Sequence, residues 1–154
     1  MDKVHWGMPG GVYFRKSQSL LKLALKKRDL TFNEGIILIN VCENDKINQE
    51  QIANNLALDR SVVTRGLKLL EKKNLVTRKI VDNNERMKLV SATSQGKKMN
   101  EQISRFVAEW NKLFFEPFSP EQTEVIKETL ILLRDRSLDI DLDKISLEIS
   151  DIEE

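Results

Sequence analysis

The sequence predicts a mainly helical fold that carries one small β-hairpin. Apolar residues recur at steps of three and four along most of the chain, capping signals divide it into successive helices, and two β-prone runs flank one polar turn. With 154 residues, of which 40% are hydrophobic, the chain can fill one domain of ordinary size or two small lobes that share a core.

Capping signals place the first three helices. A helix is predicted from about Val12 to Arg28, after the breaker Pro9-Gly10-Gly11. The segment Thr31 to Glu34 has the pattern of a capping box, in which the N-cap hydroxyl and the N3 carboxylate each accept a backbone N–H, and it opens a second helix. The segment Asn48 to Gln51 repeats that pattern and opens a short third helix.

A fourth helix follows after a turn of about three residues, with Asp59 as its predicted N-cap. Val63, Leu67 and Leu70 are spaced to face a core. Asn74 stands where a left-handed residue would end the helix, a conformation that asparagine tolerates better than most residues. Two short helices joined by so tight a turn indicate a helix-turn-helix.

The opposite face of this fourth helix is cationic and hydroxyl-bearing. It presents Arg60, Ser61, Thr64, Arg65 and Lys68 and no carboxylate. Long cationic side chains can reach phosphates or the O6/N7 pair of guanine, and small hydroxyls allow close approach and can bond bases or phosphates. We therefore predict that Thr64 and Arg65 contact bases and that Arg60 and Lys68 contact phosphates.

A basic hairpin is predicted directly after the helix-turn-helix. Two β-prone runs, residues 76–81 and 86–92, flank the polar turn. This order of elements is typical of a winged helix-turn-helix, in which one helix enters the major groove and the hairpin lies against the backbone or minor groove. Arg86 is the predicted minor-groove residue, and Asn84 and Lys88 complete the candidate DNA-binding set.

Charge is distributed unevenly along the chain. The net charge is only +1, but residues 137–154 carry −6, and residues 60–88 carry +6 from nine Lys or Arg and three acidic residues. A basic cluster in one short segment is expected of a surface that meets phosphates. The alternative is a solvated lysine-rich face. The acidic tail alternates apolar and acidic residues. This alternation fits either an extended arm that lies on another surface or a disordered segment.

Residues 47–96 resemble the DNA-binding lobe of the MarR family of bacterial transcription regulators. The positions that carry the resemblance are Ile52, Ala53, Leu56, Ser61, Val63, Thr64, Arg65, Leu67, Leu70 to Lys73, Leu75, Val76, Arg86, Thr93 and Gly96. The chain departs from the family at Asn74, where glycine is common, and at Asn84-Glu85-Arg86, where Asp-x-Arg is usual.

The layout of helices around this segment agrees with the family over roughly residues 12–136. We expect a winged helix-turn-helix lobe at 31–96, a helical dimerisation lobe at 1–30 and 97–136, and an acidic tail at 137–154. The last helix should begin at the capping box Ser119 to Gln122.

A homodimer is the expected assembly. The helices outside the winged lobe have apolar stripes wider than one helix can hide, and a twofold dimer would place two recognition helices on a palindrome, as the resemblance also implies. The alternative is a monomer that folds the same stripes into one bundle.

The resemblance further implies a small phenolic or anionic effector. Tyr13, Trp110 and Phe114 are candidate residues for its pocket, with membership of the core as the alternative reading. Cys42 lies in the apolar run ILINVC, which predicts a buried and inert thiol rather than a redox sensor.

Other function classes fit the sequence less well. One histidine and one cysteine are too few to assemble an ordinary transition-metal site. A Gly-rich phosphate loop and a G-x-S-x-G motif are both absent, so neither an enzyme nor a cofactor is expected. The sequence lacks an apolar run of about 20 residues and a secretory signal, which predicts a cytoplasmic protein without a membrane partner.

The predicted function is sequence-specific binding of double-stranded DNA by a transcription regulator, acting as a ligand-responsive homodimeric repressor on a palindromic operator. The alternative is a winged-helix module that binds proteins and not DNA.

Overall fold

The computed structural model describes residues 7–81, 84–141 and 144–145, with side chains described except at 7–8 and 81–87. These residues form six helices and a three-stranded antiparallel sheet of order β1-β3-β2. In chain order the elements are α1 (Gly7–Lys26), α2 (Phe32–Glu43), β1 (Ile47–Asn48), α3 (Gln49–Leu56), α4 (Arg60–Lys72), β2 (Val76–Val81), β3 (Asn84–Ala92), α5 (Ser94–Phe115) and α6 (Pro120–Asp139). The predicted fold class, mainly α with a β-hairpin wing, is confirmed.

The helix boundaries follow the capping signals closely. All three predicted capping boxes are formed, at Thr31–Glu34, Asn48–Gln51 and Ser119–Gln122. Asp59 takes the N-cap position of α4, but the prediction that its side chain caps the helix is wrong, because it makes no capping hydrogen bond. Asn74 has φ 56°, so the predicted left-handed residue after α4 is confirmed.

Three elements differ from the prediction. Strand β3 begins at Asn84 rather than at residue 86, so two residues assigned to the turn belong to the strand. Helix α1 begins at Gly7 rather than near Val12 and runs through Pro9, because the first turn of a helix has no intrahelical partners for its N–H groups and a proline there loses no bond. Strand β1 was not predicted. Its two residues, paired with β3 so that Ile47 lies opposite Val90, are too few to show an alternating pattern.

The core of the first compact unit, which ends at Trp110, is centred on one face of α4. Val63, Leu67 and Leu70 are completely buried there, as predicted. Gly66 lies on the same face, and a Cβ at this position would stand 2.5 Å from Ile37 Cδ1. The absence of a side chain at Gly66 therefore lets α4 approach α2 closely.

Helices on both sides of the winged segment contribute to the same core. Leu25 near the end of α1 and Ile103 in α5 are completely buried. Met99 and Val107, one turn before and after Ile103, pack against this cluster. The first half of α5 is thus part of the winged unit's core.

An ion pair connects the end of α4 to the start of α2. Lys73 Nζ lies 2.8 Å from Oε1 of Glu34, whose side chain is only 1% exposed, and Lys73 also donates to the carbonyl oxygen of Asp29. The second carboxylate oxygen of Glu34 accepts the N–H of Thr31 at 2.8 Å. Burial raises the pKa of Glu34, but the hydrogen bonds from Lys73 and Thr31 outweigh it and leave the pKa below its usual value.

A close junction joins the wing to α5. The Thr93 hydroxyl donates to the carbonyl oxygen of Asn74 at 2.7 Å and accepts the N–H of Gly96 at 2.9 Å, so it caps the first turn of α5. A Cβ at Gly96 would lie 2.0 Å from the carbonyl oxygen of Leu75. Only glycine permits this approach of backbone to backbone.

The second compact unit starts at Asn111 and contains α6. Every residue of α6 is described and none is buried. Large apolar side chains on it are exposed, among them Val125, Ile131, Leu132 and Leu133. Ser137 to Asp139, assigned to the predicted tail, continue this helix. Across the described residues, no helix combines the length and apolar character required to cross a membrane.

We expect Gly96→Ala to lower the free energy of unfolding by about 1 to 3 kcal/mol, because the new Cβ forces the backbone apart at Leu75. Gly10→Ala is the matched control. Nothing lies within 4 Å of a Cβ at Gly10, and alanine favours the helix by roughly 0.5–1 kcal/mol. Urea unfolding measures both variants, and equal midpoints would contradict the close approach.

Glu34→Gln should lower the free energy of unfolding by about 1 to 3 kcal/mol at neutral pH, because it leaves Lys73 without its buried carboxylate. Since folding lowers the pKa of Glu34 from about 4.5, the carboxylate stabilises the fold above that pH. This contribution is lost as the pH falls through the lower folded value.

The difference between wild type and Glu34→Gln should therefore shrink in acid, measured by urea unfolding over a pH series. Glu50→Gln, which alters an exposed ion pair with Arg60, is the control and should leave the midpoint nearly unchanged. A difference that stays constant down to low pH would argue against an ionised Glu34 as the source of the effect.

Candidate nucleic-acid interface

The predicted basic face of α4 points away from the core. Arg60, Ser61, Arg65 and Lys68 are exposed, and Thr64 is half-buried. Because the core-facing side of the helix is fixed by completely buried side chains, this orientation follows directly from the helical spacing. The structure thus brings the five α4 residues of the candidate DNA-binding set onto one accessible surface, which we call the basic face.

The first turn of α3 holds the amino end of this basic face. Glu50 forms an exposed ion pair with Arg60. Gln49 Nε2 donates to Thr64 Oγ1 at 2.5 Å and to the Arg60 carbonyl oxygen at 3.3 Å. Sequence reasoning missed both Gln49 and Glu50, because they lie on another helix and no periodic pattern pairs them with α4.

Arg65 and Lys68 differ from Arg60 in having open surroundings. Both are exposed, and neither forms an ion pair with any residue that the structure describes. Their cationic groups are thus available to an external anion without first breaking an internal contact.

Two cations within the basic segment 60–88 form ion pairs with other parts of the fold. Lys73 pairs with the buried Glu34. Arg78, on β2, pairs with Glu71 near the end of α4, and its side chain is only 20% exposed. The guanidinium of Arg78 holds the pKa of the Glu71 carboxyl below its usual range. The count of positive charges in the sequence therefore overstates the charge offered at the surface.

The wing also has exposed cations, in addition to those of the basic face. Lys79 on β2 and Lys88 on β3 are exposed, and Lys88 lies opposite Ile80 in the strand register. Ile80 is itself 57% exposed. The side chains of Asn84 and Arg86, the other predicted wing contacts, lie outside the part of the wing that the structure describes, although β3 begins at Asn84.

The candidate effector residues have intermediate environments. Tyr13 and Trp110 are half-buried, and Phe114 is 36% exposed. Phe114 packs edge-on against Phe115, with ring centroids 5.6 Å apart. Cys42 is half-buried against the core, and burial raises the pKa of its thiol, which disfavours the reactive thiolate.

A family model and a known relative, both of transcriptional regulators, match this chain. The family model of the transcriptional regulators SarA and Rot matches residues 19–103. The HTH-type transcriptional regulator SarZ of Staphylococcus saprophyticus is 35% identical over 108 residues, covering 69% of this chain and 71% of that protein.

Solved structures share the fold. A Listeria monocytogenes regulator assigned to the MarR family, complexed with a 26-mer DNA, has a TM-score of 0.80 and 27% identity over 90% of this chain and 91% of that one. CouR from Rhodococcus jostii, bound to p-coumaroyl-CoA, has a TM-score of 0.76 at 22% identity, over 85% of this chain and 92% of that one. The latter similarity shows the fold alone.

Proposed function

The chain belongs to the SarA/Rot family of transcriptional regulators and has the winged-helix fold of MarR regulators, and from this we propose that it binds double-stranded DNA with sequence specificity. The observation that carries the proposal is the exposed basic face of α4, in which Arg65 and Lys68 have no internal ion pair among the described residues. A DNA-bound relative with the same fold supports it.

In this proposal α4 enters the major groove. Arg65 and Thr64 contact base edges, Ser61 lies at the amino end that approaches the groove floor, and Arg60 and Lys68 contact phosphates. The wing places Lys88, with Asn84 and Arg86, against the backbone and minor groove.

The protein acts as a homodimer on a palindromic operator. Helix α6 buries no residue in the single chain, and Val125, Leu132 and Leu133 on it are 61%, 64% and 58% exposed. A monomer in water rarely leaves so many large apolar side chains uncovered on one helix. A dimerisation lobe at 1–30 and 97–136, with the winged lobe at 31–96, provides the two half-site readers that a palindrome requires.

The protein represses transcription in the cytoplasm and responds to an aromatic or anionic effector. CouR, which has the same fold, is bound to p-coumaroyl-CoA, so the fold is able to hold such a molecule. Tyr13, Trp110 and Phe114 are the aromatic candidates for contacting such a molecule.

Two measurements test the proposal. Affinity for random duplex DNA should fall steeply with salt, with a slope in log-log form of about −0.9 for each phosphate contacted. DNA selected from a random pool should have a twofold-symmetric consensus. An affinity that does not respond to salt would favour a protein-binding module, and an asymmetric consensus would contradict the dimer on a palindrome.

Arg65→Ala and Lys68→Ala should have different effects on DNA binding. Arg65→Ala should weaken the selected site by about 1 to 3 kcal/mol and relax selectivity at one position, because a base contact is lost. Lys68→Ala should weaken all sequences alike and reduce the magnitude of the salt slope by about 1. Fluorescence anisotropy on selected and random duplexes over a salt series measures both.

Lys127→Ala is the control for these variants. Lys127 is a cation on α6 that pairs with Glu124 within its own helix, so its loss should change neither selectivity nor the salt slope. An equal loss on every sequence for Arg65→Ala would reassign Arg65 to a phosphate.

A further inference from the structure

The side chain of Gln49 bridges α3 and α4 in a way that fixes its own orientation. Its terminal nitrogen lies 3.3 Å from the carbonyl oxygen of Arg60 and 2.5 Å from Thr64 Oγ1. A carbonyl oxygen can only accept a hydrogen bond, so the Gln49 atom facing it is the amide nitrogen. This nitrogen can only donate, and Thr64 Oγ1 is therefore an acceptor in the second contact.

The hydrogen of the Thr64 hydroxyl has its own partner. Oγ1 lies 2.7 Å from the carbonyl oxygen of Arg60, four residues earlier in the same helix, and donates to it. The hydroxyl thus gives its only hydrogen to the helix and accepts one from Gln49. Turning it toward a base would break both bonds, and the stiff χ1 angle of a β-branched residue would move the methyl group at the same time.

The position of Thr64 makes this orientation relevant to recognition. Thr64 is half-buried on the basic face, one turn from Arg60 and Lys68 and next to the exposed Arg65. Its hydroxyl has no hydrogen left to donate to a base, and one of its two lone pairs is taken by Gln49. Apart from the remaining lone pair, the chemistry left for the groove is that of the γ-methyl group. In the major groove, the complementary feature is the C5-methyl group of thymine.

Building on the DNA-binding function proposed above, we infer that Thr64 selects a base with a 5-methyl group through its own methyl group, and that Gln49 is the positioning residue that orients it. The recognised class is a 5-methylpyrimidine, which is thymine in unmodified DNA. Sequence reasoning assigned base contact to Thr64 through a hydroxyl, whereas this inference assigns it to the methyl group, because the hydroxyl hydrogen is used within the protein.

The test replaces single thymines by uracil in the selected duplex, which removes only the 5-methyl group. At one thymine position in each half-site, replacement by uracil should lower the affinity of the wild-type protein for the duplex by about fourfold. This factor is the value of burying one methyl-sized group. Thr64→Val, which keeps the γ-methyl group, should retain the preference for thymine over uracil at that position. Thr64→Ser, which keeps only the hydroxyl, should lose it.

Gln49→Leu tests the positioning role through the same ratio. It should reduce the preference for thymine over uracil when Thr64 is present, and have no further effect on that ratio in the Thr64→Val background, where the hydroxyl that it holds is gone. A purely structural role for Gln49 would alter affinity for both duplexes equally and leave the ratio unchanged. Urea unfolding of each variant verifies that it is folded.

The inference is overturned if no thymine in the site is sensitive to uracil replacement, or if Thr64→Ser keeps the preference and Thr64→Val loses it. Both results would occur with salt-dependent DNA binding intact. Failure of the proposed function is distinguishable, because binding to any duplex would then show no dependence on salt.

Discussion

Burial of one face of helix α4 is the constraint on which the rest of the arrangement depends. Val63, Leu67 and Leu70 are completely buried, and each such side chain contributes roughly 1.5 to 3 kcal/mol relative to an exposed one. Rotating the helix about its axis would expose these residues and carry Arg65 inward as an uncompensated charge. The close approach at Gly66 to Ile37 limits such movement further. The outward direction of the basic face is therefore a consequence of packing.

Polar contacts hold the two ends of α4. At the carboxyl end Lys73 pairs with the buried Glu34 of α2, and at the amino end Gln49 and Glu50 of α3 contact Thr64 and Arg60. A buried ion pair is weak evidence of net stabilisation, because desolvation offsets much of the attraction. Its geometric effect is stronger, since a helix fixed at both ends by directional bonds cannot slide along the groove formed by its neighbours.

The parts of the structure predicted from the sequence are those encoded locally. Two such features are the capping box Thr31–Glu34 and the buried face formed by Val63, Leu67 and Leu70. Each depends on residues within one or two helical turns, so the local sequence is enough to predict it. The contacts of Gln49, and of Glu34 with Lys73, join residues from different helices. Their partners are set by the packing of helices in space, which no local periodicity records.

Contacts between elements also reduce the positive charge that residues 60–88 present to solvent. Glu34 and Glu71 pair with Lys73 and Arg78, so part of the apparent charge holds the winged unit together. Glu50 forms an exposed pair with a third cation, Arg60. The positive potential outside the protein comes from the exposed cations that have no such partner among the described residues. Arg65 and Lys68 are two of them. With fewer cations available to phosphates, long-range attraction to DNA is weaker than the sequence suggests. In the proposed complex with DNA, a larger share of recognition then falls to the short-range fit of side chains such as Thr64, whose hydroxyl is held by Gln49 and the Arg60 carbonyl oxygen.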